Sequence, residues 1–296
     1  MHMGNLLAML LAWLDCRSLG GQMLFRMEDL DPARSKPVYM QALAEDLRWL
    51  GLDWDCGWPE PAYAQSNRST LYEDAFRLLQ NRDLVYPCWC SRAERLAAAS
   101  APHPGETEFD SGCRCAHLSA KERLCLEASG RKPAWKLRCP DREITVEDGH
   151  YGTIVQNPAR DVGDFIIRRA DGVFAYQLAV SVDDMLMGVS RVVRGRDLLS
   201  SAPRQKWLIE TLGGKPPVYC HAPLLTEGSG KLSKRLGSLS TEVLRKETTP
   251  EALTGKLAFL CGLSETEAAV SPRDLIAGFS WEMIKKADIE IAPEAR

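Results

Sequence analysis

Arg26-Met27-Glu28-Asp29-Leu30-Asp31-Pro32 is where the chain turns from apolar to acidic. Met23, Leu24 and Phe25 join Met27 in a short apolar run that predicts a buried strand, and Glu28, Asp29, Asp31 and Pro32 end it abruptly. In open α/β sheets ligands sit beyond the carboxyl ends of the strands. Glu28 is therefore expected to project into a crevice, where it can bind a substrate ammonium or another polar group. The same acids also fit a solvated loop with an Asp-x-Asp helix cap ahead of Lys36 and Pro37.

Upstream, Met1-His2-Met3-Gly4-Asn5 runs into an apolar helical stretch, residues 6–14, which Gly20 and Gly21 end. His2 and Gly4 then stand at a helix N-terminus, beside unpaired N–H groups and the positive end of the dipole, a place suited to phosphate. Downstream, Pro37 opens a helix with Tyr39, Leu43, Leu47 and Leu50 at helical spacing, stopped by Gly51. Ser69 or Thr70 caps a further helix with Leu71, Ala75, Leu78 and Leu79 as its expected buried face.

Between Tyr86 and about Arg160 prolines, glycines and charges crowd in, which suggests an inserted subdomain. It carries Cys88-Trp89-Cys90 and Cys113-Arg114-Cys115, two close thiol pairs that supply four soft ligands for tetrahedral zinc in a segment with little apolar core. Spacing of one residue within each pair is less diagnostic than two. Free thiols, or His117 or His103 in place of one cysteine, are the alternatives.

Residues 165–169 and 173–180 are apolar runs flanking Asp171-Gly172, a hairpin signal, with Tyr176 on the second strand either lining the crevice or filling the core. Asp183-Asp184 follows. Residues 192–197 read as a strand ending in charge, where Arg194 can hold a substrate carboxylate or form a surface ion pair. A helix near 204–212 ends at Gly213-Gly214, and Pro216-Pro217 leads into an apolar run. Gly228-Ser229-Gly230-Lys231-Leu232-Ser233-Lys234-Arg235 is a glycine-bearing basic loop, suited to phosphate or simply solvated. It is not a Walker A loop, because Leu225 occupies the place of that motif's first glycine. From Pro250 the chain is helical through Leu253, Leu257, Leu260 and Leu263, then again over 271–279, and residues 288–296 are expected to fray.

The 296 residues allow one large domain or two modest ones. With 26% charged and 45% hydrophobic residues and a net charge of −3, a basic surface for nucleic acid would have to be local. Residues 6–14 form the longest apolar stretch, too short to span a bilayer and without the charged lead of a signal peptide, so a cytoplasmic location without membrane association is expected. Four of the ten cysteines fall in the two pairs, which favours metal and reduced thiols over disulfides.

The segments also fall into a known order. His2-Met3-Gly4-Asn5 resembles the HIGH signature of class I aminoacyl-tRNA synthetases, and Lys231-Leu232-Ser233-Lys234-Arg235 resembles their KMSKS loop. The stretch from Arg26 to Pro32, Phe174-Ala175-Tyr176 followed by Val182-Asp183-Asp184, and Val193-Arg194-Gly195 are similar to the glutamyl-tRNA synthetase group in particular. The resemblance runs from His2 to about Leu263.

It implies an α/β, Rossmann-type class I catalytic domain with an inserted, zinc-bearing, acceptor-stem-like subdomain and a short helical C-terminal region. The divisions expected are 1–85 and 161–240 for the two catalytic halves, 86–160 for the insertion and 241–296 for the helical end. Full-length members continue into a large helical anticodon-binding region. This shorter chain resembles the truncated paralogues that attach glutamate to queuosine in the anticodon of tRNA(Asp). The implied partners are glutamate, ATP with magnesium, and tRNA, with the chain a monomer.

By the same resemblance His2 and Lys234 are catalytic, His2, Gly4, Lys231 and Lys234 bind ATP, and Glu28, Tyr176 and Arg194 hold glutamate. Cys88, Cys90 and Cys113 match zinc ligands. Cys115 falls where some relatives carry histidine, and with Phe109 in the place of a ligating tyrosine it is the better fourth ligand. The family's opening strand and Arg-Phe-Ala-Pro-Ser-Pro-Ser/Thr-Gly segment have no counterpart here, so a central strand and part of the substrate site are expected to be missing, a start placed too far downstream being the expected reason. Two other readings stand beside this one: a short or truncated glutamyl-tRNA synthetase charging a tRNA 3′ end, supported by residues 250–279, and a non-catalytic tRNA-binding paralogue.

Overall fold

Helix α1, Met3–Ser18, is apolar on nearly every side, and Met3, Leu6, Leu7, Leu10, Leu11, Trp13 and Leu14 are all buried. A helix of that kind belongs inside a molecule rather than on it. The computed structural model describes residues 1–31, 35–90, 113–227, 230–231 and 241–291. Among these, α1 lies at the centre of the larger core, together with Leu47, Leu50, Leu253, Leu257, Cys261 and Ile284.

The stretch expected as a buried strand over 23–27 is shorter and less covered. Only Leu24–Phe25, β1, lies in a ladder, parallel to β2, Cys56–Gly57, and both β1 residues are half-buried. Met27 makes a separate bridge to Ala64. Phe25 packs against the Trp54 and Trp58 rings, with centroids at 4.7 and 6.3 Å, so loop aromatics cover this strand in place of further strands. Gly57 has φ +136°, and a Cβ there would lie 2.2 Å from the Phe25 carbonyl oxygen, so only glycine lets the two strands approach.

Helix α2 is Pro37–Trp49 and α3 is Ser69–Asn81. Tyr39, placed on the buried face of α2 by its spacing, is exposed, and Ala44, Asp46 and Leu47 face inward. In α3 the buried face is Tyr72, Ala75, Phe76 and Leu79, while Leu71 is exposed. Neither Ser69 nor Thr70 caps α3; Arg68 occupies the cap position and turns its side chain to a buried acid described below.

Strand β3, Val85–Cys88, is followed by α4, Ala120–Ala128, and β4, Ala134–Leu137. Next come the hairpin β5, Ile144–Asp148, and β6, Gly152–Gln156, then β7, Phe165–Arg168. Strands β3, β4 and β7 form one antiparallel sheet. The hairpin expected across Asp171-Gly172 does not form a ladder: after a single Arg168–Phe174 bridge the chain enters α5, Tyr176–Leu186. Leu178, Ala179 and Val182 of α5 join Tyr72, Phe76, Ile167, Trp207 and Leu208 in a second core. Helical spacing suits that burial, since three neighbouring elements can be met from one helix face.

Strand β8, Arg191–Gly195, helix α6, Ala202–Leu212, and strand β9, Val218–Ala222, complete a four-stranded sheet in the order β6-β5-β9-β8. Strands β8 and β9 are parallel, β5 joins β9 in parallel, and β6 is antiparallel. The β5–β9 and β4–β7 ladders both cross residue 160. Among the described residues β1 is paired only to β2, and β8 only to β9. Strand β10, Leu225–Glu227, pairs with β11, Gly230–Lys231, and with β12, Ile289–Glu290. Ile289 and Ile291 are buried, so the segment expected to fray is docked as far as residue 291. Helices α7, Thr241–Glu247, and α8, Pro250–Cys261, carry the chain from the basic loop to that strand. No described helix is long and apolar enough to cross a membrane.

Candidate active site

Asp183 has no exposed side-chain surface, and four neighbours surround its carboxylate. Arg68 Nε donates at 2.6 Å, Gln65 Nε2 at 2.8 Å, and the Tyr72 hydroxyl lies 2.9 and 3.1 Å from the two oxygens. Arg26 Nε stands at 3.8 Å. Its Nη1 donates to Asp184 at 2.8 Å, and its Nη2 to Glu28 at 3.1 Å. A buried charge needs this many partners to repay its lost hydration. Burial works against the Arg26 charge, but Asp184, Glu28 and Asp183 outweigh it and hold the guanidinium protonated more firmly than usual. For Asp184 burial wins and raises the carboxyl, with Arg26 offsetting part of the effect.

This web anchors the exposed Glu28, which the sequence singled out, through the Arg26 guanidinium. Tyr176 and Arg194 meet at the same place: Arg194 Nη1 lies 3.4 Å from the Tyr176 hydroxyl. Burial raises the Tyr176 phenol, the Glu28 charge raises it further, and Arg194 opposes both, so all three groups share one electrostatic neighbourhood. Tyr176 reaches it from the first turn of α5, not from a strand. Arg194 Nη1 also donates to Gln205 at 2.7 Å, and its guanidinium carbon sits 5.1 Å from the Tyr219 ring centroid. An arginine half-covered in this way presents a fixed edge to an anion.

His2 caps α1, and its backbone N–H donates to Asn5 Oδ1 at 3.3 Å. No acid occupies the first turn to compete for the dipole. A Cβ on Gly4 would lie 3.2 Å from two atoms of the His2 ring and 3.7 Å from Leu225 Cβ, so the start of α1 fits closely against β10. The first residue of the KMSKS-like segment lies next to that strand: β10 pairs through Thr226 with Lys231 of β11. Lys231 lies in a short strand where the sequence suggested a loop, and Lys234 lies outside the described residues.

Cys88, Cys90, Cys113 and Cys115 converge, all four sulfurs lying within 4.8 Å of one another. The separations are 3.4 Å for Cys88–Cys113, 3.9 Å for Cys90–Cys113 and 3.6 Å for Cys90–Cys115. Tetrahedral zinc with Zn–S bonds of about 2.3 Å requires edges near 3.8 Å, so the donor set fits the ion in number, softness and size. Hydrogen bonding from Cys88, together with nearby Lys136, lowers the Cys113 thiol against the opposing effect of burial. His117 is not part of the cluster among the described residues. Phe109 and His103 lie outside those residues.

The sequence reading passed over Arg26, Gln65, Arg68, Tyr72 and Gln205, and treated Asp183-Asp184 as a marker without a role. The one usable signal is charge inside apolar spacing: Asp183 and Asp184 continue the buried run of α5.

The family model described as tRNA synthetases class I (E and Q), catalytic domain, matches residues 1–291. A glutamyl-Q tRNA(Asp) synthetase from Nitratidesulfovibrio vulgaris is 45% identical over 93% of this chain and 87% of its own length. One from Symbiobacterium thermophilum is 44% identical over 99% and 93%. A glutamate–tRNA ligase 2 from Alkalilimnicola ehrlichii is 42% identical over 88% of this chain, which spans 56% of that protein. Among solved structures, the glutamate-tRNA synthetase from Elizabethkingia anophelis superposes with a TM-score of 0.82 at 25% identity, covering 99% of this chain and 66% of that one.

Proposed function

From the premise that this chain belongs to the class I (E and Q) tRNA synthetase family, we propose that it activates glutamate with ATP and transfers it to queuosine in the anticodon of tRNA(Asp). The observation that carries this reading is the match to a glutamyl-Q tRNA(Asp) synthetase at 44% identity, over 99% of this chain and 93% of that relative. The longer glutamate–tRNA ligase is matched over little more than half its length. On this reading the chain works as a cytoplasmic monomer.

The glutamate α-carboxylate attacks the α-phosphate of ATP, forming glutamyl-adenylate and releasing pyrophosphate, and a hydroxyl of the modified base then takes the acyl group from AMP. Arg194 and Tyr176 hold a glutamate carboxylate, and Glu28 pairs with its ammonium. The Glu28 carboxylate favours a cation there, while Arg194 favours an anion, so the two ends of glutamate are told apart by charge. His2 and the N-terminus of α1 receive the phosphates, and Lys234, helped by Lys231, offsets charge on the triphosphate. Magnesium bound with ATP would supply further positive charge for the leaving pyrophosphate. Catalysis of this kind is mostly positioning and charge stabilisation.

Cys88, Cys90, Cys113 and Cys115 hold zinc as a structural staple for the inserted segment. The ion ties the end of β3 to the turn at 113–117, where little other apolar packing is available.

The test is glutamate-dependent ATP–pyrophosphate exchange, followed by labelling of tRNA(Asp) with and without queuosine beside tRNA(Glu). Label on queuosine-containing tRNA(Asp) alone is the expected result. Label at the 3′ end of tRNA(Glu) would establish the second reading, a short glutamyl-tRNA synthetase, which the likeness to glutamate–tRNA ligases favours. Exchange with no tRNA present or added, in a folded protein, would exclude a purely binding paralogue.

A further inference from the structure

Arg194 and His221 are direct partners in the parallel β8–β9 ladder, so the register places both side chains on one face of the sheet. There Arg194 Nε donates to His221 Nε2 at 3.1 Å. On the far side of the ring, His221 Nδ1 lies 2.5 Å from Asp148 Oδ2. Both His221 and Asp148 side chains are fully buried. Asp148 comes from the end of β5, the strand on the other side of β9, and its second oxygen accepts the backbone N–H groups of His150 and Tyr151 at 3.0 and 2.9 Å.

These contacts determine one protonation pattern. Burial opposes ionisation of Asp148, but the hydrogen bonds from His221, Tyr151 and His150 outweigh it and hold the carboxyl below its usual range. An ionised Asp148 only accepts, so Nδ1 of His221 carries its proton toward it. Arg194 Nε only donates, so Nε2 of His221 presents a lone pair. A second proton on the ring would set donor against donor at 3.1 Å. With Nε taken by His221 and one Nη1 hydrogen by Gln205, the contacts left on the guanidinium are long, 3.4 Å each to the Tyr176 hydroxyl and the Leu198 carbonyl. The outer edge, with hydrogens on Nη1 and Nη2, is the part free to tighten on a ligand.

We infer that Asp148 and His221 form a buried relay that fixes the Arg194 guanidinium, through the Nδ1–H tautomer of His221, so that its outer edge meets the substrate carboxylate. The inference rests on the reading of Arg194 as the glutamate-carboxylate anchor. Both residues are positioning residues: neither touches substrate. The relay sets the affinity for glutamate and leaves the ATP subsite at the start of α1 alone.

The experiment compares wild type, Arg194→Gln, His221→Leu, His221→Gln and Asp148→Asn in ATP–pyrophosphate exchange with tRNA present, reading KM for glutamate and for ATP separately. It adds 15N spectra of histidine-labelled and arginine-labelled full-length protein. His221→Leu is expected to raise the glutamate KM about tenfold or more, with the ATP KM within about twofold, since it removes one charge-assisted hydrogen bond. His221→Gln, whose Oε1 falls near the position of Nε2, should recover most of that loss. Asp148→Asn presents an amide donor to Nδ1, reverses the tautomer and should resemble His221→Leu. In the spectra, wild-type His221 should show a protonated Nδ1 and a bare Nε2, and the Arg194 Nε–H signal should move in His221→Leu and return toward wild type in His221→Gln.

A glutamate KM unchanged in His221→Leu but raised in Arg194→Gln would overturn the relay and leave the anchor standing. A glutamate KM unchanged in Arg194→Gln would overturn the anchor itself. A doubly protonated or Nε2–H ring in the wild-type spectra would overturn the relay regardless of activity.

Discussion

Asp183 is the residue on which the largest number of separate elements depend. Gln65 and Arg68 come from the turn before α3, Tyr72 from α3 itself and Arg26 from the end of the first strand segment, and all converge on one carboxylate. Removing that carboxylate leaves two guanidiniums and a phenol facing an uncharged void. Asp183→Ala is therefore expected to cost about 3–5 kcal/mol of unfolding free energy, the usual penalty for breaking a buried ion pair from one side. Urea denaturation measures it, and a loss below about 1 kcal/mol would mean that water enters and replaces the acid. At this scale Glu28, Tyr176 and Arg194, which the fold brings into one neighbourhood, could be singled out because each stands in a short stretch with a distinctive order. Arg26, Arg68 and His221 were not. Their partners lie far along the chain, as Arg26 and Asp184 do at a separation of 158 residues, and one sequence carries no sign of which distant charge will face which.

At the scale of elements, local spacing was a good guide where one face is buried and a poor one where the surroundings decide. Residues 173–180 are apolar and rich in β-formers, yet the chain becomes helical at Tyr176, because α3, β7 and α6 offer α5 a three-sided apolar seat. The apolar run of α1 and the stop at Gly51 needed no such context. Gly255 in α8 tests the same point from the other side. Alanine is the better helix former by about 1 kcal/mol, but a Cβ at 255 would lie 2.1 Å from the Ala268 carbonyl oxygen. Gly255→Ala should therefore destabilise the protein by a net of about 1–3 kcal/mol, read as a lowered midpoint in thermal or urea unfolding. A rise in stability would show that the 264–271 segment gives way freely. The thiol cluster joins β3 to the turn at 113–117 around a small core of Tyr86, Trp89 and Leu118. If zinc holds it, chelation should release one equivalent of metal and expose residues 113–137 to limited proteolysis, while Cys115→Ser lowers the bound zinc. Protein purified without chelator and free of zinc would remove the staple from the account.

At the scale of the whole molecule, the C-terminal segment is fastened to the four-stranded sheet through a histidine that the fold prefers neutral. His150, in the β5–β6 turn, lies 3.3 Å through Nε2 from the Lys285 carbonyl, with the Trp281 ring centroid at 5.1 Å and that of Tyr151 at 4.8 Å. Tyr151 adds a hydrogen bond from its hydroxyl to the Lys286 carbonyl at 2.7 Å. Burial lowers the His150 pKa and the Lys286 charge lowers it further, while the Lys285 carbonyl and the Asp148 charge oppose them without prevailing. An unfolded histidine takes its proton near pH 6.5, so below that value the unfolded chain binds more protons than the folded one. Stability tied to His150 is thus fully present above about pH 6.5 and is lost as pH falls from there through the lower folded value. Asp148 behaves alike in a more acidic window. Its folded carboxyl is held low, so its contribution is present above about pH 3.9 and disappears as pH falls through the folded value. Thermal midpoints measured between pH 7.5 and 5.5 should fall more steeply in wild type than in His150→Gln, which keeps a polar contact to the Lys285 carbonyl but takes no proton. The two proteins should then share the drop below pH 4. Parallel curves from pH 7.5 to 5.5 would mean that His150 protonates in place without loosening the C-terminal segment, which the Tyr151 hydrogen bond, the β10–β12 ladder and the packing of Ile284, Ile289 and Ile291 then hold.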